Sequence, residues 1–368
     1  MDLQQLQIIT EFRSALNAAD AGDEQQAIRH LTTLTVRTRQ MGHFHAEVLC
    51  ARGRLLYQNG AVFLALLDLQ HCLRIGQFSR RERGELLLLL ANCCAELRRP
   101  KLVARILRQA CTLGSIPARS ALKTLHNFGV RCNLRGEAQL GFKYFCLVVQ
   151  NEGIASNWIF CNALINRGCW LGHEGHYELA EDDFLRAIAK NDIEPKLLVR
   201  AWFNLGNLYW LTGKYSRAIE CFAKVLEASV TVDELRPLSR CKMAHSYERL
   251  GQHDAALTVL REGDHGARVR SAENRETVSL YSGLVLLGCK LFEEAEKHFV
   301  DVFSRPGSES VIRARSRWAY GFVRCLQEDY VSGIAKMHEA HGFLERAGEK
   351  NLLKMIESDI QRFETQTG

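Results

Sequence analysis

The sequence predicts an all-α protein built as a tandem array of helix pairs. Three observations carry that expectation. A pattern of small residues recurs at intervals of 37–39 residues along nearly the whole chain. Only 5 prolines occur in 368 residues, so few obligate helix breakers are present. The chain is 47% hydrophobic and 24% charged, the balance of an ordinary globular protein and not of a disordered one. At roughly 100–200 residues per domain, that length suits either two or three domains or one extended array. The repeat favours the array.

The clearest unit reads VRAWFNLGNLYWLTGKYSRAIECFAKVLE over residues 199–227. Gly206 stands seven before the turn residue Gly213, Ala218 stands five after it, and Phe222 follows four later. This is a helix, a tight turn and a second helix. In chain order, the first pair is written by Ala15, Gly22, Ala27 and Leu31, and the second by Gly53, Gly60, Ala65 and Leu69. The third is anchored at Arg99 with Asn92 and Ala104, and the fourth has Gly129, Gly136, Gly141 and Phe145. The fifth has Gly168, Gly175, Ala180 and Phe184. After the sixth, quoted above, come Ala244, Gly251, Ala256 and Leu260, then Gly283, Lys290, Ala295 and Phe299, then Gly321, Glu328, Gly333 and Met337. Small residues fill 17 of the 18 slots before and after the anchors, with Asn92 the exception. Two antiparallel helices that cross closely need little or no side chain at the contact. Glycine inside a helix costs about 1 kcal/mol relative to alanine, so its recurrence there marks a packing need that outweighs the cost. Glycine at the anchor serves another purpose, supplying the positive φ that ends the first helix. Asn351–Thr365 is expected to be an amphipathic capping helix, and Gly263–Asn274 is the most loop-like interior stretch.

These spacings and residue types resemble the tetratricopeptide repeat family. Trp202, Leu205, Gly206, Tyr209, Gly213, Tyr215, Ala218, Phe222 and Val225 stand where that family carries its large and small signature residues. Repeats anchored at Gly175, Gly251 and Lys290 match well, and those at Gly22, Arg99 and Glu328 match less closely. The period exceeds the family's usual length of about 34 residues. Longer repeats of this kind are similar to sensor arrays of bacterial transcription regulators. The resemblance implies a right-handed α-solenoid, with first helices lining a concave groove and second helices on the convex side. It divides the chain into an array over residues 1–348 and a capping helix with tail over 349–368.

Other classes are excluded or left without support. No basic segment followed by an apolar run opens the chain, and the longest apolar run, around Leu86–Ala91, is far shorter than the roughly 20 residues of a membrane span. The 13 cysteines show no CxxC pair and no zinc spacing, and read as small core residues in a reducing cytoplasm. No phosphate-binding glycine loop, GxSxG or HExxH motif occurs, so neither a catalytic site nor a cofactor is expected. His173 and His176 straddle a turn, His338 and His341 lack a third ligand, and His43 and His45 open a helix; none of these pairs is expected to hold metal. Glu181, Asp182 and Asp183 read as a solvated face.

Two partner surfaces remain. The net charge is +6, yet residues 78–141 alone carry 12 Lys and Arg against 4 Asp and Glu. Lys101, Arg105 and Arg108 share one helical face there, with Arg80, Arg81 and Arg83 in a preceding connection. The patch reads first as a solvated face; as a partner surface it suits an acidic protein better than nucleic acid, because aromatic residues are not interleaved with the charges. The second surface is the groove. Nine residues before successive anchors stand Asn127, Asn166 and Asn204, followed by Lys242. An asparagine amide both donates and accepts, so such a row suits the backbone of an extended peptide. Asn207, Trp210 and His245 occupy neighbouring groove positions, and Phe203 and Trp210 offer apolar pockets. The family's carboxylate-clamp pattern is matched only by Asn204 and Lys242, so that clamp is not expected. The expected function is a non-catalytic scaffold holding a protein or extended peptide. The alternative is a peptide- or small-molecule-sensing regulator that acts through a partner.

Overall fold

The computed structural model describes residues 3–230, 232, 234–262 and 271–367. Every element among them is a helix: α1 (Leu3–Asp20), α2 (Glu24–Arg37), α3 (His43–Gln58), α4 (Val62–Ile75), α5 (Arg80–Glu96), α6 (Pro100–Thr112), α7 (Ala118–Leu134), α8 (Ala138–Val149), α9 (Asn157–His173), α10 (Tyr177–Ile188), α11 (Pro195–Leu211), α12 (Tyr215–Glu227), α13 (Leu235–Arg249), α14 (His253–Arg261), α15 (Ala272–Gly288), α16 (Phe292–Ser304), α17 (Val311–Leu326), α18 (Tyr330–Ala347) and α19 (Lys350–Thr367). The chain forms two compact units, Met1–Trp170 and Leu171–Gly368. Of the loop-like stretch at 263–274, residues 263–270 lie outside the described residues, and the Ser271 hydroxyl already caps α15 by accepting from the Asn274 amide.

Each helix pair turns on one left-handed residue. Gly22, Gly60, Gly136, Gly175, Gly213 and Gly251 take φ between +73° and +88°, and Lys290 and Glu328 take +62° and +71°. The amide after each donates to the carbonyl five residues back, as Lys214 does to Tyr209 at 2.8 Å. That bond satisfies a carbonyl the helix end would otherwise leave open. The third pair corrects the register expected from sequence. Its left-handed residue is Arg98 (φ +57°), not Arg99, and the Arg99 amide donates to Cys94 at 2.9 Å. Arg99 precedes a proline, which disfavours helical backbone there, and Pro100 sits at the opening of α6, where its missing amide costs nothing. The shift replaces Asn92 by Ala91 before the turn and puts the larger Val103, not Ala104, after it. Seven before Arg98 stands Ala91, five after it Val103 and nine after it Leu107, all buried.

The small residues lie where helices cross. An added Cβ at Gly206 would meet Phe222 ring carbons at 2.8 and 2.9 Å. Gly129 faces Phe145 in the same way (2.6 Å), and Gly283 faces Phe299 (2.5 Å). Where the position seven before the turn is alanine instead, as at Ala15, Ala91 and Ala244, the buried residue nine after it is leucine: Leu31, Leu107 and Leu260. In these six pairs size is thus balanced across the contact, as close packing requires, whereas Gly53 meets Leu69 and Gly321 meets Met337.

In the Met1–Trp170 unit, Arg52 grips the buried Asp68 carboxylate with two bonds of 2.7 Å, joining α3 to α4. Arg80, Arg81 and Arg83 stand in the first turn of α5, not in a connection, because Ser79 and Glu82 form a capping box that starts the helix earlier. In the Leu171–Gly368 unit, Arg313 and Glu276 form a buried pair at 2.7 Å, and the same guanidinium donates to the carbonyls of Arg305, Pro306 and Gly307. The acidic cluster of α10 is not a uniformly solvated face. Asp183 is buried, and Glu181 accepts from Tyr209 (2.8 Å), Lys214 and Arg217, so its carboxylate balances two cations. Ile356, Ile360 and Phe363 of α19 bury themselves with Ala340 and Leu344 of α18, and Trp318 donates to Asp359 at 2.9 Å.

Candidate functional site

In the Leu171–Gly368 unit, the first helices α11, α13, α15 and α17 bring together a group of polar and aromatic side chains. On α11, Phe203, Asn207 and Trp210 are spaced four and three apart, so they share a face. Lys242 and His245 stand three apart on α13, Tyr281 comes from α15 and Arg315 from α17. Each keeps a groove register relative to its own turn: Phe203, Asn207 and Trp210 stand ten, six and three before Gly213, and Lys242 and His245 nine and six before Gly251.

Lys242 is the centre of the group. Its ammonium donates to Asn207 Oδ1 at 2.7 Å. It lies 5.0 Å from the centroid of Trp210, 5.8 Å from Tyr281 and 5.9 Å from Phe203, within reach of the electron-rich faces of all three rings. Trp210 Nε1 donates to His245 Nδ1 at 3.1 Å, and the rings of Trp210, His245 and Tyr281 meet edge to face. Arg315 also approaches Tyr281, at 5.8 Å, and its Nε is buried with no hydrogen-bond partner among the described residues. No carboxylate among the described residues lies within 4.0 Å of either cation.

The electrostatics follow. Burial, and then the charge of Arg315, lower the Lys242 pKa from 10.5 to about 8. Burial, with Arg249, Arg315 and Lys242, lowers that of His245 to about 4, so its ring is neutral near pH 7 and accepts from Trp210. Two cations thus share an aromatic cluster, and among the described residues Lys242 donates to an amide oxygen alone. An anion entering it would relieve their repulsion and hydrogen-bond to both.

The other residues expected at the site are distributed as follows. Asn204 is half-buried on α11, Asn127 is exposed on α7, and Asn166 is half-buried on α9. The Asn166 amide already donates to Asn162 Oδ1 and to the Asn162 carbonyl at 3.0 and 2.9 Å, leaving its own oxygen for a ligand. Asn127 and Asn166 belong to one unit, and Asn204 and Lys242 to the other. Lys101, Arg105 and Arg108 are exposed on α6. Arg315 escaped the sequence reading, although it stands thirteen before Glu328, itself a groove position. Among the described residues no group of three or more His, Cys, Asp or Glu could hold a metal, and no helix is long and apolar enough to cross a membrane. His338 and His341 of α18 instead face Glu364 and Glu357 of α19.

The Tetratricopeptide repeat family model matches residues 199–229, the unit that carries Asn204, Asn207 and Trp210. No curated protein sequence matches the chain. Among solved structures, the apo form of the quorum sensor NprR from B. thuringiensis is 14% identical, with a TM-score of 0.51 covering 92% of this chain and 99% of that one. Pseudomonas aeruginosa pilF is also 14% identical, with a TM-score of 0.47 covering 67% of this chain and 98% of that one. A tetratricopeptide repeat protein from Parabacteroides merdae is 15% identical, with a TM-score of 0.37 covering 85% and 98%. Residues 199–229 thus match the tetratricopeptide repeat, and the succession of helix pairs around left-handed turns gives the described residues the fold built from such repeats. Proteins of this family are in general interaction scaffolds.

Proposed function

We propose that the chain is a non-catalytic scaffold that holds an extended peptide of a partner protein against the first helices, with a carboxylate of that peptide seated at Lys242 and Arg315. The observation that carries this reading is the pair of cations at Tyr281 with no carboxylate partner among the described residues. Burying two like charges is costly, and an incoming carboxylate offsets that cost only when bound. Phe203 and Trp210 supply apolar walls for a neighbouring side chain, and Asn204 pairs with the peptide backbone. Within the Met1–Trp170 unit, the same reading gives Asn127 and Asn166 the role of backbone partners. It treats residues 1–348 as the array and 349–368 as its cap.

The test is a random-peptide display selection on the full chain, counter-selected with a Lys242→Met, Arg315→Met double variant. Selected peptides should share an Asp, Glu or free C-terminus at a fixed distance from an apolar residue. Their affinity should fall at least tenfold, about 1.4 kcal/mol, in either single variant and in Asn204→Ala. Binding should also weaken as pH rises through about 8, where Lys242 loses its proton. Peptides that bind the double variant equally well would refute the assignment.

A further inference from the structure

A second surface lies in the Met1–Trp170 unit, on its second helices. A trough of about 940 Å³ runs between α4 and α8, with the start of α6 as its floor. That is the upper end of the roughly 300–1,000 Å³ of clefts that bury a ligand. Phe63 and Leu66 of α4, Leu102 of α6, and Phe142 and Leu147 of α8 give it apolar walls. Phe142 is held in place by stacking on Trp170, with centroids 4.0 Å apart. Phe63 and Leu67, one turn apart on α4, are 59% and 46% exposed, so the apolar stripe of that helix has no cover of its own.

The rim is cationic. Arg98, Arg99, Lys101, Arg105 and Lys143 line the trough, and no acidic residue does. Of the four carboxylates of residues 78–141, three are engaged elsewhere and the fourth pairs with Arg98 alone. Glu82 caps α5, Glu85 faces Arg54 and Arg81, Glu96 faces Arg131 and Arg135, and Glu137 faces Arg98. Arg99, Lys101, Arg105 and Lys143 are left exposed, with no carboxylate within 4.0 Å among the described residues. No carboxylate among the described residues of the unit neutralises them.

We infer that this trough docks an acidic amphipathic helix of a partner protein. The walls are helices whose backbone groups are already bonded within themselves, so an extended strand would find no ladder to join. A helix arrives with its own backbone satisfied. Its Leu, Ile or Phe residues at i, i+3, i+4 and i+7 fill the trough, and Asp or Glu on the flanks meet Arg99, Lys101, Arg105 and Lys143. A lipid surface would need a protruding apolar patch, not a recessed one. A nucleic acid would leave the apolar walls unused. This surface is separate from the site at Lys242.

The probe is a displayed library of helical peptides of about 15 residues, near the shortest length that holds helix in water. Leu, Ile, Phe and Met vary at i, i+3, i+4 and i+7, and Asp, Glu and Ala elsewhere. Selection uses the full chain, and the best peptide is titrated by fluorescence anisotropy. Phe63→Ser and the Lys101→Glu, Arg105→Glu double variant should each weaken binding about tenfold or more, one change removing apolar contact and the other reversing the charge. Both sites are exposed, and circular dichroism should report an unchanged fold. Lys242→Met should leave this binding unaltered. The inference is overturned if no peptide is enriched over the double variant, if Phe63→Ser binds as tightly as the parent, or if phosphatidylserine vesicles or a single-stranded oligonucleotide bind more tightly than the selected peptide.

Discussion

Replacing Gly206 with alanine isolates the close helix contact on which every repeat is built. In an open helix the change is favourable, because alanine exceeds glycine by about 1 kcal/mol in helix propensity. Gly342, in the middle of α18 with nothing within 4 Å of an added Cβ, should show that gain. At Gly206 the new methyl would sit 2.8 and 2.9 Å from ring carbons of Phe222, which is fully buried and cannot swing aside. Overpacking of that kind costs about 1–3 kcal/mol. The two terms together predict a net loss of about 0–2 kcal/mol, opposite in direction to Gly342→Ala. Phe222→Leu alone opens a cavity and destabilises. In the double variant the methyl occupies space the ring has vacated, reproducing the Ala and Leu combination of Ala244 and Leu260. The cycle should therefore show a favourable coupling of about 1–2 kcal/mol. Urea unfolding of the four proteins, followed by circular dichroism, measures it. A coupling under about 0.5 kcal/mol, the scatter expected of independent sites, or a stabilising Gly206→Ala, would refute the packing rule.

Further outcomes follow from the same geometry. Ala218→Arg forces a charge into a crossing with no free surface and should cost several kcal/mol in a thermal melt. Arg313→Ala leaves Glu276 buried and three carbonyls without their donor, so it should cost about 3–5 kcal/mol, whereas Arg313→Met with Glu276→Leu removes the unpaired charge and leaves only the carbonyls unserved, so it should cost less. Lys242→Met should be more stable than the parent at pH 7, because the buried ammonium is lost. The folded chain releases the Lys242 proton near pH 8 and the unfolded chain near 10.5, so parental stability rises across that window and the difference shrinks. Urea midpoints at pH 7 and pH 10 measure it, and a constant difference would contradict the burial of this amine.

Much of the fold was legible because it is written in size. The small residues seven before and five after each turn are read directly from the chain, and their burial follows from the crossing they permit. The third pair was misplaced by one residue for lack of a glycine to mark its turn. The usable mark was Pro100, which must open its helix and thereby puts the left-handed residue at Arg98. Asp183 was misjudged for a related reason: a run of three acids spreads around a helix, so one of them faces inward. At the candidate site the register named Phe203, Asn207, Trp210, Lys242 and His245 as groove positions. It did not give their pairing. That Lys242 turns to Asn207 rather than Asn204, and that Arg315 shares Tyr281 with it, depends on how α13 and α17 lie beside their neighbours, which no single repeat encodes.

Hydrogen exchange on the complex with a peptide selected for the Lys242 and Arg315 site tests the central claim most directly. Slowed exchange is predicted in the first helices α11, α13, α15 and α17, strongest around residues 203–210, 242–245 and 281, with α12, α14 and α16 unchanged. Protection confined to the second helices, or identical protection in the Lys242→Met, Arg315→Met variant, would contradict the account.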